Sequence, residues 1–326
     1  MSVDTASGSE PDHESISRPP GSDEILGDRL FRGLCFAFAW VTILLVLIIL
    51  WELGRQALPA MQTQGVEFLT SSKWDAGKQT FGILPEILGT LYSSVLGVGI
   101  ATILGVAVAI FLTQDFLPPP VEVGLKHVIE LLAAIPSVVY GLWGIFVVIP
   151  FIRPACNWLN EHLGEIPLFG TRLSGPGMLP AALVLSIMVL PTITTISRDA
   201  IAAVPHKLRE AAFGLGATKW ETILAVILPT ASRGIFGSVV LGFGRALGET
   251  MALAMLVGNS SNISWSLFAP GNTLAALLAN KFPEASRIEI DALMYAALVL
   301  LAITLAVNIV GTWIIMRTAV DMRGSR

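Results

Sequence analysis

The sequence places two opposite charges inside one long apolar segment, 235–257. Arg245 lies near the middle of that segment, and Glu249 follows four residues later, one turn away on the same face of a continuous helix. A central arginine costs at least ~2.5–3.5 kcal/mol on membrane-insertion scales, so its presence favours a functional role. We expect Arg245 and Glu249 to neutralise each other when nothing is bound.

This pair could bind a small tetrahedral oxyanion. The planar guanidinium of Arg245 matches two oxygens of a phosphate-like group at once, and Thr250 adds a hydroxyl. A dianion can displace Glu249 and leave when the helices rearrange. The alternative is a structural salt bridge between two helices. Weaker candidates end the preceding apolar segment: Thr192, Thr194, Thr195 and Ser197.

A polar loop between two apolar segments has the pattern of two short helices joined by a turn. Pro205 suits the first turn of a helix, because its missing N–H is not needed there. Gly214 and Gly216 are suited to end this first helix, since glycine accepts the left-handed conformation of a helix C-terminus. Thr218 followed by Glu221 predicts a capping box that starts the second helix.

The second helix of this loop is expected to run to about Leu228 and to stop before Pro229. Ala211 and Ala212 leave a flat, small face on the first helix. Charged residues surround that face: Lys207, Arg209, Glu210 and Lys219. Such a face suits contact with another protein. The alternative is an ordinary amphipathic loop lying on the membrane surface.

Six segments are apolar and long enough to cross a membrane, which takes about 20 residues each. They are 34–53, 87–112, 128–149, 179–196, 235–257 and 292–316. The predicted fold class is therefore all-α, a polytopic membrane bundle of six transmembrane helices. Gly97, Ala101 and Gly105 recur every four residues, and so form one small face that another helix can approach closely.

Composition excludes an ordinary soluble domain. Of the 326 residues, 54% are hydrophobic and 13% are charged, which is about half the charged share of soluble proteins. Seven of the 24 acidic residues lie in the first 28. We predict that residues 1–30 form a disordered acidic tail, because this Ser-, Gly- and Pro-rich stretch cannot bury a core. It lacks the basic start and short apolar stretch of a signal peptide.

The distribution of Lys and Arg favours an orientation with both termini in the cytoplasm. In that orientation twelve Lys and Arg lie in inside segments and seven in outside loops, Arg245 being the one left over. Positive charge is retained on the cytoplasmic side of membrane proteins. The chain is therefore predicted to cross a membrane several times.

The sequence does not contain the residues of an ATPase or a metal enzyme. No G-x-x-x-x-G-K-[ST] phosphate loop occurs, and Gly77-Lys78 is followed by Gln79. No nucleophile–base arrangement stands out. The four histidines are scattered: His13, His127, His162 and His206. We therefore expect a chain that is not an enzyme and that holds no cofactor or metal.

The polar loop resembles the EAA signature of ABC importer permeases. That signature is Glu-Ala-Ala, three residues, Gly, nine residues, Ile, one residue and Leu-Pro. It stands here, with Val226 in place of Ile, as Glu210, Ala211, Ala212, Gly216, Leu228 and Pro229. The resemblance implies that these residues couple the chain to a separate ATPase. In that family the loop sits in a groove of the ATPase, which binds ATP and Mg²⁺ in place of this chain.

Two further runs resemble the PstC-type permeases of bacterial phosphate ABC importers. They are GFGRALGETMA at 242–252 and IPSVVYGLWGIFV at 135–147. The resemblance covers roughly residues 30–320. It implies the type I permease fold, a location in the bacterial inner membrane, and phosphate passage at Arg245, Glu249 and Thr250. The implied partners are a PstA-type second permease, a PstB-type ATPase dimer and a PstS-type phosphate-binding protein, in lipid and without nucleic acid.

The resemblance divides the chain into three parts. Residues 1–30 are the cytoplasmic tail, 31–320 the six-span permease domain with its cytoplasmic coupling loop at 198–234, and 321–326 a cytoplasmic C-terminal tail. Other functions stay open at this point. They are a permease for sulfate, molybdate or another oxyanion, a PstA-type subunit, an ion-coupled carrier that needs no ATPase, and a membrane enzyme or scaffold.

Overall fold

A computed structural model describes residues 22–321, and their architecture is helical. The long helices are α1 (Ser22–Gln64), α3 (Leu84–Phe111), α4 (Pro119–Ala134), α7 (Met178–Ala202), α10 (Leu228–Leu247) and α13 (Arg287–Asp321). The shorter helices are α2 (Glu67–Thr70), α5 (Ser137–Trp143), α6 (Ile149–Leu163), α8 (His206–Gly214), α9 (Lys219–Thr222), α11 (Met251–Leu256) and α12 (Leu274–Lys281). The predicted all-α class is confirmed.

The described strands are two short ones in the connection between α2 and α3. β1 (Trp74–Asp75) and β2 (Thr80–Phe81) pair antiparallel, with Trp74 opposite Phe81. Single 3₁₀ turns follow α6 (Pro167–Phe169) and α12 (Phe282–Glu284).

Two segments of the helical chain widen into π turns. They are Gly144–Val148, between α5 and α6, and Ile223–Ile227, between α9 and α10. Each is followed after one residue by a proline, Pro150 or Pro229. Proline has no N–H to donate and its ring crowds the carbonyl four residues back, so a locally wider turn lets the helix continue past it.

Within residues 22–321, six helical stretches are long and apolar enough to cross a membrane. They are Ile25–Gln64, Leu84–Phe111, Ser137–Leu163, Met178–Ala202, Lys219–Leu247 and Arg287–Arg317. The predicted number of spans is confirmed, whereas two of their positions were wrong. The third was expected at 128–149, but α4 ends at Ala134 and the chain is extended before Pro136. The fifth was expected at 235–257, but the helix runs through Pro229 and ends at Leu247.

The tail boundary at residue 30 also needs correction. α1 begins at Ser22, so residues 22–30 belong to a helix. Residues 1–21 and 322–326, where the rest of the two predicted tails falls, lie outside the described part. The chain divides into two units between Glu52 and Leu53. In the first unit, every side chain from 25 to 49 is exposed.

α7 is the centre of the second unit. Most of its side chains are buried, and α3 and α10 pack along it. Gly97 and Gly105 of α3 face Leu185 and Ile193 of α7, and a Cβ at either glycine would lie 3.0–3.1 Å from those side chains. Ala101 between them is fully buried. The predicted small face of α3 is thus confirmed as the surface that brings α3 against α7.

Candidate functional site

Arg245 lies in the last turn of α10, which ends at Leu247. Its side chain is exposed, and its Nη1 donates a 3.2 Å hydrogen bond to Oγ1 of Thr192 on α7. A cation is favoured here, because the free carbonyls at a helix C-terminus carry partial negative charge. Arg245 is therefore at a helix end and not, as the sequence suggested, at a helix centre.

The chain after Arg245 is a helix break formed by residues 248–250. Gly248 leaves the helix, and α11 begins at Met251. Oε1 of Glu249 accepts a 3.4 Å hydrogen bond from the N–H of Ala252. The hydroxyl of Thr250 donates a 3.1 Å hydrogen bond to the carbonyl of Gly248. The side chains of Glu249 and Thr250 thus stabilise the helix break through hydrogen bonds to its backbone.

The expected ion pair between Arg245 and Glu249 is not formed. No salt bridge involves either side chain in the part of the chain that the structure describes. The expectation was wrong because residues four apart face each other only within a continuous helix. The break after Leu247 takes Glu249 off the helix face that Arg245 occupies.

This arrangement leaves most of the guanidinium available to an anion. Arginine has five N–H donors in a planar fork, and Thr192 accepts from one nitrogen. Among the weaker candidates, Thr192 is the one placed beside Arg245. Ser197 instead shares a 2.9 Å hydrogen bond with Ser238 of α10, and Thr194 is buried against α3. Arg245 and Thr192 therefore form the candidate oxyanion site, with Glu249 and Thr250 at the adjacent break.

The predicted coupling loop begins with α8, which runs from His206 to Gly214 after Pro205. Its end is closed by two hydrogen bonds, from the N–H of Gly216 to the carbonyl of Phe213 (2.9 Å) and from Ala217 to Ala212 (3.1 Å). Gly216 has φ +86°, in the left-handed region. This is the Schellman arrangement, in which a glycine lets the chain turn back on the helix it leaves.

The start of α9 is fixed by a capping box. The hydroxyl of Thr218 accepts from the N–H of Glu221, and the carboxylate of Glu221 accepts from the N–H of Thr218 at 2.7 Å. The sequence predicted this box. The second helix does not stop before Pro229, however, because the π turn carries the chain into α10. Leu228 and Pro229 are therefore helical residues at the base of the loop.

The two alanines of the EAA signature differ in exposure. Glu210 and Ala211 are exposed, whereas Ala212 is 9% exposed and faces inward. The prediction of a flat face that contains both alanines was therefore wrong at Ala212. An alanine is small enough to let α8 lie close to the rest of the loop.

Two large apolar side chains that the sequence analysis did not select belong to the exposed surface of the loop. Leu215 is 90% exposed and Phe213 is 48% exposed. They flank Gly214 and lie within the EAA spacing. The available signal was the presence of apolar residues in a predicted cytoplasmic turn, since exposed apolar residues that cluster mark interaction surfaces. Glu210, Ala211, Phe213 and Leu215 together are called the docking surface below.

Metal-binding side chains are not grouped in the described residues. Between residues 22 and 321, no three His, Cys, Asp or Glu lie close enough to hold one metal ion.

Comparison with known proteins gives consistent matches over most of the chain. Residues 105–320 match the family described as the binding-protein-dependent transport system inner membrane component. A phosphate transport system permease protein PstC of Xylella fastidiosa strain Temecula1 is 41% identical over 318 residues, covering 93% of this chain and 96% of that protein. PstC of Pasteurella multocida strain Pm70 is 38% identical over 301 residues, with 89% and 92% covered.

The fold is shared with solved ABC transporters at much lower identity. A chain of a bacterial alginate ABC transporter, solved with an alginate pentasaccharide-bound periplasmic protein, has a TM-score of 0.53 and 17% identity. The match covers 89% of this chain and 97% of that one. By sequence and by fold, this chain belongs to the family of binding-protein-dependent transport system inner membrane components, and within it to the PstC permease proteins.

Proposed function

We propose that this chain carries inorganic phosphate inward as one membrane-spanning subunit of an ATP-driven importer. The observation that carries the proposal is the guanidinium of Arg245, which lies beside the Thr192 hydroxyl and forms no salt bridge within the described residues. The relatives named phosphate transport system permease support phosphate as the oxyanion.

In this proposal the guanidinium of Arg245 binds two oxygens of phosphate and the Thr192 hydroxyl orients it. A bidentate pairing of arginine with a tetrahedral anion is stronger and more directional than a contact with a lysine. The carboxylate of Glu249 accepts a hydrogen bond from the N–H of Ala252 in the structure. Rearrangement of the break then brings its carboxylate to Arg245, where it competes with phosphate and favours release.

ATP hydrolysis belongs to a separate subunit, and the chain itself is not an enzyme. We propose that the docking surface and the EAA residues Gly216, Leu228 and Pro229 couple the chain to a PstB-type ATPase dimer that binds ATP and Mg²⁺. The other proposed partners are a PstA-type second permease and a PstS-type phosphate-binding protein. The periplasmic protein bound to the alginate transporter of the same fold supports a partner of that kind.

The experiment that tests the proposal is phosphate uptake by the Arg245→Gln variant in its native complex. Glutamine keeps a polar side chain but cannot offer the charged fork. We expect uptake of radiolabelled phosphate to fall about 100-fold, which corresponds to ~3 kcal/mol, while the complex still assembles. Normal uptake by this variant would overturn the assignment of Arg245.

Thr192→Val and Thr195→Val form a matched pair for the second site residue. Both remove a hydroxyl from α7. Thr192 accepts the hydrogen bond from Arg245, whereas Thr195 is exposed and its hydroxyl forms no hydrogen bond within residues 22–321. We expect a higher KM for phosphate in Thr192→Val alone. Competition by unlabelled sulfate and molybdate decides the oxyanion: if either displaces phosphate at equal concentration, phosphate is not the preferred substrate.

A further inference from the structure

The segment that joins α3 to α4, residues 112–118, is held directly by the coupling loop. The ring of Phe116 stacks on that of Trp220, with 5.3 Å between centroids and 28° between planes. The ammonium of Lys219 lies 4.2 Å from the centroid of the Phe116 ring. The same Nζ donates a 3.2 Å hydrogen bond to the carbonyl of Asp115. We call these four residues the Phe116 contact.

We infer that the Phe116 contact is the positioning device by which movement of the coupling loop reaches α4. The inference rests on the proposed function, because it concerns how ATPase movement would be converted into transport. Lys219 and Trp220 are the first two residues of α9, directly after the capping box at Thr218. The two reciprocal hydrogen bonds of the capping box fix the orientation of Lys219 and Trp220 relative to the rest of the loop. Displacement of the loop therefore displaces the two side chains that contact residues 112–118.

The other side of the contact is equally well defined. Asp115 has φ +50°, a left-handed conformation that aspartate tolerates better than most residues. Phe116 also packs on Phe111, the last residue of α3, with 5.4 Å between centroids. Beneath it, Ala109 is buried together with Ile223 of the π turn. Residues 112–118 are thus joined to the start of α9 through the side chain of Phe116 and the carbonyl of Asp115.

The Phe116 contact lies between the docking surface and a series of helices that extends to the candidate oxyanion site. The segment 112–118 continues into α4, and after the break at Pro136 into α5. α5 packs against α11, where a Cβ at Gly141 would lie 2.7 Å from Sδ of Met255. α11 begins directly after Glu249 and Thr250. A shift of α4 can therefore reach the break that holds those two residues.

The alternative is that Phe116 only fills space beside the buried cluster. The exposure of its partners argues against this. Trp220 is 51% exposed and Lys219 is also exposed, so the contact lies at the edge of the cluster and shields little apolar surface. The two interpretations predict different effects of a substitution at Phe116. If Phe116 only fills space, the substitution should impair assembly of the complex. If Phe116 positions the segment, the substitution should lower the amount of phosphate moved per ATP hydrolysed.

The test uses the complex purified with its own ATPase and reconstituted into vesicles, with inorganic phosphate and ATP as probes. In Phe116→Ala we expect normal copurification of the ATPase and a rate of ATP hydrolysis within about twofold of the unaltered complex. Phosphate accumulated per ATP should fall about fivefold or more. Lys219→Met, which removes the charge and keeps the stem, should lower the ratio less. The double variant should not add, because both act on one contact.

Leu224→Ala is the matched control, since Leu224 is 62% exposed in the π turn that follows α9. It should leave the ratio unchanged. An unchanged ratio in Phe116→Ala would overturn the inference. If Phe116→Ala fails to assemble, Phe116→Leu decides: a lowered ratio in an intact complex supports the inference, and a normal ratio overturns it. An unaltered complex that accumulates no phosphate would instead contradict the proposed function.

Discussion

At the scale of single residues, Gly216 gives the sharpest prediction, because its requirement is purely conformational. It has φ +86°, and a Cβ built there meets no atom within 4 Å. A Cβ would therefore cause no clash, and the main cost of a substitution is backbone strain, about 1–2 kcal/mol for the left-handed conformation and more for a β-branched residue. We expect Gly216→Val to open the end of α8, and to reduce copurification of the ATPase.

Gly214→Ala is the control for that prediction. Gly214 is the last residue of α8 and also has nothing within 4 Å of a built Cβ, but it has no left-handed φ. Alanine should be neutral there or stabilise the helix by up to about 1 kcal/mol. Hydrogen exchange at the N–H groups of Gly216 and Ala217 measures the opening. Equal protection of these N–H groups in both variants would mean that the left-handed conformation of Gly216 does not keep the end of α8 closed.

Residue chemistry could be predicted from sequence where it depends on near neighbours alone. The glycine turn and the Thr218–Glu221 capping box are of this kind, and both are confirmed. The Arg245–Glu249 pair was not, because its prediction assumed a continuous helix across Gly248. Nor does local spacing show that Thr192 lies beside Arg245, since that contact depends on how α7 and α10 pack.

At the scale of helices, the small face of α3 gives the second prediction. Gly97 and Gly99 are two residues apart, so one faces α7 and the other faces away. A Cβ at Gly97 would lie 3.0 Å from Leu185, whereas nothing lies within 4 Å of one at Gly99. We expect Gly97→Leu to force α3 from α7 and to destabilise the protein by about 1–3 kcal/mol or more, and Gly99→Leu to be tolerated.

Thermal unfolding of the two purified variants in the same detergent measures this difference. The comparison is informative because both substitutions add an identical side chain to the same helix. Only the direction in which it points differs. Equal unfolding temperatures would mean that close approach of α3 and α7 contributes little to stability.

The existence of the helices was predictable, whereas their ends were only partly so. Long apolar runs identified six spans, because lipid exposure demands them. Pro136 ends a helix, as proline usually does, but Pro150 and Pro229 do not. The helix continues past each of them because a π turn precedes the proline, and a count of apolar residues does not show where such a turn forms. The predicted third and fifth spans were displaced for this reason.

At the scale of the whole molecule, the orientation in the membrane depends on charges that lie far apart in the sequence. Twelve Lys and Arg against seven favour an inside location for both termini and for the coupling loop. The fold alone is the same in either orientation, so packing cannot supply this information. The proposed function requires the inside location, because ATP is available there.

Labelling of single cysteines by a membrane-impermeant maleimide tests this orientation. The background is Cys35→Ser, since Cys35 is exposed, whereas Cys156 is buried. Lys78 lies in the connection before α3, where its pairing with Asp75 is exposed and worth little, and Lys207 lies exposed on α8. We expect Lys78→Cys to be labelled in intact cells and Lys207→Cys only after permeabilisation. The reverse pattern would place the docking surface outside, out of reach of any ATPase, and would contradict both the orientation and the proposed coupling.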